Sequence, residues 1–461
     1  MNNSPTTALS PAPVDEPSAP PDRRLPLGLL LLCLALHVPL GLAMHSNRAI
    51  ATAHAAATVL TAVWVLAAAR SPGPLLRVAG YVVGAEVLWR QTRAVVPWEL
   101  GKYLLIIIFT VGIIRFVGRP TNAGVPIVFL AVLLPACAAP LVILGPMAGI
   151  EPVSFNVGGL IALGVGAIFI SQLAGPWSSM RPVLWCLVTP VVATAALGTD
   201  AARHLASSDF FSDSNFKAAG GFGPNQVSAI LGLGALCLIM LAIREKGFMR
   251  PFIAVLMTMW FLVQGGLTFS RGGMTNFAIA VVVALPLLLR RRGTAVRVLV
   301  LILVVGVVGA LVVFPRLDRF TGGELQVRYS NQHEADIRAE LVRKEYQTFL
   351  NHIVLGVGAG QSETVEINRR IYSSHTEYTR LLAEHGMMGL IAIGCMVAMV
   401  VQGYRRQKLP WGHAWTLAFA AWALADMSHA ATRIAAPSFA FAIALFTFVA
   451  EDDAEEPAGF R

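Results

Sequence analysis

Long apolar runs separated by short polar breaks organise this chain. A bilayer core of roughly 30 Å needs about 20 apolar residues in helical form. By that measure the runs at 25–44, 50–69, 77–91, 99–117, 124–145, 155–173, 181–198, 224–243, 251–268, 271–289, 296–314, 386–403, 411–426 and 433–450 predict membrane helices. The runs at 77–91 and 411–426 are short, so twelve to fourteen crossings are expected. Two stretches break the pattern: residues 199–223 are polar, and 315–385 form a much longer polar segment. Within the second, NQHEADIRAELVRKEYQTFLNHIVLGVG sets Ile337, Leu341, Tyr346, Phe349, Leu350 and Ile353 at helical spacing. That pattern predicts an amphipathic helix followed by a glycine-rich turn. The predicted fold is therefore an all-α polytopic integral membrane protein with a helical loop domain. A disordered tail spans 1–24, a first bundle 25–314, the loop domain 315–385, the last helices 386–450 and a short acidic tail 451–461. Met1–Pro21 is rich in Pro, Ser, Thr and Ala and cannot bury a core. No removable signal peptide is expected after it.

Composition sharpens the class. The chain has 461 residues, 56% hydrophobic and 13% charged, against roughly 25% charged in soluble proteins. The formal net charge of +9 would suggest nucleic acid in a soluble protein. Here the cations cluster between apolar runs. Arg70 and Arg77, Arg115 and Arg119, Arg244 to Arg250, Arg290 to Arg292, and Arg405 to Lys408 fall in alternate loops. These loops read as cytoplasmic by the positive-inside rule, with both termini on the same side. A nucleic-acid partner is excluded on that pattern. The five cysteines all lie in apolar runs and form no C-x-x-C pair, so no disulfide framework or thiolate site is expected.

The chemistry-bearing residues map to the opposite, outward face. In YSSHTEYTRLLAEHG, His375 stands just before a helix that leads into the membrane. An imidazole titrates near neutrality and can take a proton from a hydroxyl. Ser373, Ser374 or Thr376 can cap that helix, and Glu384 near the membrane boundary calls for a partner. The competing reading is a solvated histidine beside a helix cap. LTFSRGG puts Arg271 at the outer end of a span, suited to a bidentate grip on phosphate or to interfacial snorkelling. NFKAAGGFGPNQ puts Lys217 before a glycine turn and Pro224, where helix-start amides and a lysine can hold an anion. GVGAG, 356–360, is neither a P-loop nor a dinucleotide fingerprint and reads as a tight turn. No carboxylate–histidine cluster argues for a metal, so a metal-independent site without cofactor is expected. These parts suit a diphosphate carried on a membrane lipid and an incoming hydroxyl activated by histidine. A transporter would set its ionisable groups near the midplane; Glu86 and Asp426 are the main residues of that kind.

At these residues the chain resembles the O-antigen ligase/polymerase family of bacterial membrane glycosyltransferases. LTFSRGG (267–273), the segment from Arg338 through Asn351-His352 to Gly356-Val357-Gly358, and SSHTEYTRLLAEHGMMG (373–389) carry the resemblance, in that order, across 215–405. It implies a GT-C-like helical fold of about twelve spans in the inner membrane, with a periplasmic loop domain. It makes His375 the base and Arg271 and Arg338 the diphosphate contacts. Lys217 takes a position where the family pattern has arginine. Glu384, Tyr378 and Asn225 become supporting residues, and His352, lacking the following proline, a structural one. The implied donor is undecaprenyl-diphosphate-linked polysaccharide, and the implied acceptor is lipid A-core, with membrane lipids around a monomer. A ligase is expected; a polymerase or a protein O-oligosaccharyltransferase of the same family is the alternative, and a lipid-linked sugar transporter the reading from another class.

Overall fold

The computed structural model describes residues 25–118, 120–211, 213–290, 292–330, 333–362, 365–367, 370–372, 376–429 and 432–450, with 329, 333–338, 365–367 and 370–372 described by backbone alone. The described residues are 79% helical. The helices follow in order: α1 (Leu27–Ser46), α2 (Arg48–Ala68), α3 (Pro72–Gln91), α4 (Leu100–Phe116), α5 (Gly124–Ile143), α6 (Pro146–Ile170), α7 (Trp177–Arg203), α8 (Pro224–Arg244), α9 (Met249–Leu267) and α10 (Arg271–Leu288). Next, α11 (Arg292–Ile302) continues through two π-helical turns into α12 (Phe314–Phe320), one 29-residue span. The loop segment holds α13 (Glu324–Ser330), α14 (His333–Asn351), a short antiparallel pair β2 (Val365–Ile367) and β3 (Arg370–Tyr372), and α15 (Glu377–His385). The chain closes with α16 (Met387–Arg406), α17 (Pro410–Met427) and α18 (Ala435–Ala444). Among the described residues, ten helices are long and apolar enough to cross a membrane.

Local chemistry fixes the ends. Proline occupies the first turn of α3, α6, α8 and α17, where its missing N–H costs nothing. The Asn47 side chain accepts from the Ala49 amide at 2.9 Å and starts α2 one residue after α1 stops. The core is α8, buried over 94% of its apolar window and packed against α9, α10 and α7. The span 292–320 is the opposite case: 6% of its window is buried and the rest is turned outward. Its π-helical turns, Leu303–Val307 and Gly309–Val313, lie in this loosely packed stretch.

Each predicted run coincides with a helix except at the end. The run 433–450 is a ten-residue helix, α18, followed by β4 (Thr447–Phe448), which pairs in parallel with β1 (Ala174–Gly175). Ten residues cannot span a bilayer as helix. The extended remainder completes the passage because it is buried in protein: Gln407 donates to the Phe446 carbonyl at 2.6 Å and accepts from the Phe448 amide at 3.1 Å. Irregular backbone at membrane depth is stable under that condition.

Candidate functional site

At one end of the bundle, side chains of α3, α4 and α15 surround the linker between α17 and α18. Three ion pairs are buried there. Arg90 Nη2 lies 2.7 Å from Glu86 Oε1, one turn apart on α3. Lys102 pairs with Glu99, and Arg380 with Glu377. Three carboxylates and three cations leave this belt neutral. Buried charges persist when paired and hydrogen-bonded, and the linker supplies the rest. The Ala435 amide donates to Glu86 at 2.6 Å, and the Thr432 amide and hydroxyl donate to Glu377 at 2.8 and 3.1 Å. Lys102 Nζ reaches the carbonyls of Thr432 (3.3 Å) and Phe155 (3.2 Å). Arg90 Nη1 reaches Gln226 (2.8 Å) and the Arg433 carbonyl (3.0 Å). Arg380 closes the belt on the backbone of Asn156 at 2.8 Å.

Arg271 is the first residue of α10 and half-buried at the rim of this belt. Its neighbours are held tightly. Ser270 donates to Asn225 Oδ1 at 2.8 Å, and Ser228 donates to the Ser270 carbonyl at 3.0 Å. Phe269 adopts φ +57°, a conformation rare for a bulky side chain. Its carbonyl accepts from the buried Arg328 Nε at 2.9 Å, and Arg328 also reaches Ser214 at 3.2 Å. Across α10, Asn276 Nδ2 donates to Asp426 Oδ1 at 2.8 Å. Its amide oxygen therefore accepts from His429 Nε2, also at 2.8 Å. The His429 ring lies over Gly272, where a Cβ would come 2.5 Å from Cε1. The Asp426–Asn276 pair thus fixes an imidazole beside Arg271.

α15 enters the same end. Thr376 caps it, accepting from the Thr379 amide at 3.2 Å. His375 lies one residue earlier, outside the described residues. Tyr378 OH donates to the Leu424 carbonyl at 2.7 Å and ties α15 to α17. Glu384 is buried and accepts from Ser362 at 2.8 Å; burial raises its carboxyl to about 7. Its neighbour His385 is pushed down to about 4, again by burial first and then by Arg380. The GVGAG turn doubles back onto this helix. Gly356 and Gly358 have φ +69° and +98°, and the amides of Val357 and Gly358 donate to the carbonyls of Ala383 and Glu384 at 3.0 Å. A side chain at Gly356 would strike the Glu384 carbonyl.

The predicted residues divide accordingly. Asn225 adjoins Arg271 through Ser270, and Tyr378 joins the same end through α17. Arg338 lies on α14, described by backbone alone. Lys217 is 70% exposed and bound to Asp209 at 2.8 Å; that lysine, then the Ala206 amide, holds the Asp209 carboxyl below its usual range. Its loop is nonetheless fastened to the end of α9, since the Asn215 amide donates to the Thr268 carbonyl at 2.9 Å. Sequence reasoning missed Arg328, Lys102, Arg90, Asn276 and His429, and named Asp426 only as a mid-membrane acid suited to a transporter. SHAATR, 428–433, held a legible signal: a histidine and an arginine between two apolar runs. Among the described residues no three His, Cys, Asp or Glu side chains converge as metal ligands.

Residues 253–394 match the family model described as O-antigen ligase. The matched stretch runs from α9 into α16 and contains Arg271, Arg338, His375 and Glu384. No curated protein matches the chain.

Proposed function

We propose that the chain is a member of the O-antigen ligase family, which the match over 253–394 supports, and that it transfers polysaccharide from undecaprenyl diphosphate to a sugar hydroxyl of lipid A-core. One observation carries this reading beyond the family. An apolar groove of about 390 Å3 lies between α9, α10 and the 292–320 span, lined by Leu262, Met274, Val313 and Leu325 among others. Met274 is one turn from Arg271, so the groove comes within a helical turn of the arginine that starts α10. That arrangement suits a prenyl chain below and its diphosphate above.

In this reading the site end is periplasmic, the loop segment covers it, and the basic loops and both termini are cytoplasmic, as the positive-inside rule favours. Arg271 and Arg338 hold the diphosphate at the start of α10. His375 takes the proton from the acceptor hydroxyl. The freed oxygen attacks the anomeric carbon, and the carbon–oxygen bond to phosphate breaks. The electron pair leaves on undecaprenyl diphosphate, where the arginines offset the growing charge. His375 then releases its proton to solvent. His429, held by Asn276 and Asp426, offers a second oriented imidazole at the leaving-group side. The reaction uses no metal, so chelation leaves the rate unchanged.

Proteoliposomes carrying lipid-linked polysaccharide and rough lipopolysaccharide test this. The wild type is expected to cap lipopolysaccharide, and Arg271→Ala and Arg338→Ala each to slow transfer about 100-fold or more. Full activity in both folded variants would refute the diphosphate assignment. Longer lipid-linked chains in place of capped lipopolysaccharide would identify a polymerase.

A further inference from the structure

A second cavity, of about 190 Å3, opens at the same end of the bundle between the α1–α2 turn and the 92–99 loop. Arg48, Arg90, Arg93, Trp98 and Glu86 line it. Its charge is unbalanced. Glu86 is already satisfied by Arg90 and the Ala435 amide. Arg48 and Arg93 are exposed, and among the described residues neither has a carboxylate partner. Two guanidiniums therefore face the opening with donors to spare, on the side where the charge rule places few arginines.

The loop holds them there at a cost. Arg93 sits at φ +55°, a left-handed conformation for a residue with a long side chain. Arg48 Nε donates to the Arg93 carbonyl at 3.0 Å, and Thr52 accepts from the Val95 amide at 2.9 Å, so the turn is fastened on both sides. Trp98 is 50% exposed and stacks its indole on the Arg90 guanidinium at 4.6 Å. An indole face beside guanidinium forks is suited to a sugar ring bearing phosphate: the face takes the apolar C–H side of the ring, and the forks take the anion.

The cavity also connects to the reacting end. Arg90 binds Gln226 at 2.8 Å; the adjacent Asn225 binds Ser270 at 2.8 Å; Arg271 follows.

We propose that the Arg48–Arg93–Trp98 cavity is a binding subsite for a phosphate-bearing saccharide, the anionic part of the acceptor. The proposal rests on the transfer reading above, and its test separates the two. The full chain is placed in nanodiscs of phosphatidylcholine. Binding is measured by thermophoresis for the phosphorylated oligosaccharide released by deacylating rough lipopolysaccharide, for the same oligosaccharide after phosphatase treatment, and for glycerol phosphate. The wild type is expected to prefer the phosphorylated oligosaccharide by about tenfold or more. Arg48→Gln/Arg93→Gln loses that preference, Arg93→Lys keeps part of it, and Trp98→Leu weakens both saccharides. In the transfer assay the double variant raises the acceptor KM with kcat and the donor KM unchanged. Equal wild-type affinity for the two saccharides would overturn the proposal, as would an intact preference in the double variant. Glycerol phosphate binding as tightly as the phosphorylated saccharide would reassign the cavity to phospholipid headgroups. A wild type that binds as expected yet transfers nothing would refute the transfer reading and leave the subsite standing.

Discussion

Glu384 and His385 are neighbours that titrate in opposite senses. Burial raises the Glu384 carboxyl from an ordinary 4.5 to about 7. Between those values the folded chain binds more protons than the unfolded chain, so stability falls as pH rises. Burial lowers His385 from 6.5 to about 4, and between those values the unfolded chain binds more protons, so stability rises with pH. The two contributions, each of order 1–3 kcal/mol, oppose each other from about pH 4.5 to 6.5. Thermal midpoints should therefore climb over that window in Glu384→Gln and decline from pH 4.5 to 7 in His385→Gln, with the wild type between them. Three parallel profiles would contradict these assignments. A second residue-scale prediction concerns His429. A methyl on Gly272 would come 2.5 Å from the ring, so Gly272→Ala should displace it. We expect Gly272→Ala and His429→Ala each to lower kcat about 10- to 100-fold and the double variant to be no slower, because one interaction is lost twice. Additive losses would show that the two act independently.

The decisive contacts between elements are those that the sequence hides. LTFSRGG and SSHTEYTRLLAEHG were legible because arginine and histidine are conspicuous at the edges of apolar runs. The amphipathic stripe of α14, the Thr376 cap and the glycine turn were legible because local spacing dictates them. Arg328 was not. It is one of several arginines in a polar segment, and its importance arises when α13 docks on the carbonyl of Phe269. Arg328→Ala should cost about 1–3 kcal/mol by leaving that carbonyl unpaired, seen as a lower thermal midpoint, and raise the donor KM by loosening the start of α10. Arg328→Lys should not restore either, because one ammonium cannot replace nitrogens that reach Phe269 and Ser214 separately. Full rescue by lysine would show that charge alone matters. The α18 crossing was misread for a related reason. Hydropathy sees 433–450 as one apolar run, whereas Gln407 and β1 supply the partners that let its second half extend.

At the scale of the molecule, a neutral belt of paired charges closes one end of the bundle, and an apolar groove approaches it from the side. The span 292–320 walls that groove while contributing little to the core. Ala310→Trp, which fills the groove, should raise the donor KM severalfold and leave the acceptor KM unchanged; an equal rise in both would mean general distortion. The most direct test of the account follows both products of one reaction. Lipid-linked polysaccharide and rough lipopolysaccharide are incubated with the wild type and with His375→Ala, and released undecaprenyl diphosphate is counted against capped lipopolysaccharide. One lipid diphosphate is expected per chain transferred by the wild type, and a loss of both products of about 100-fold or more in the variant. Capping that continues undiminished in His375→Ala, or release of lipid diphosphate without capping, would contradict it.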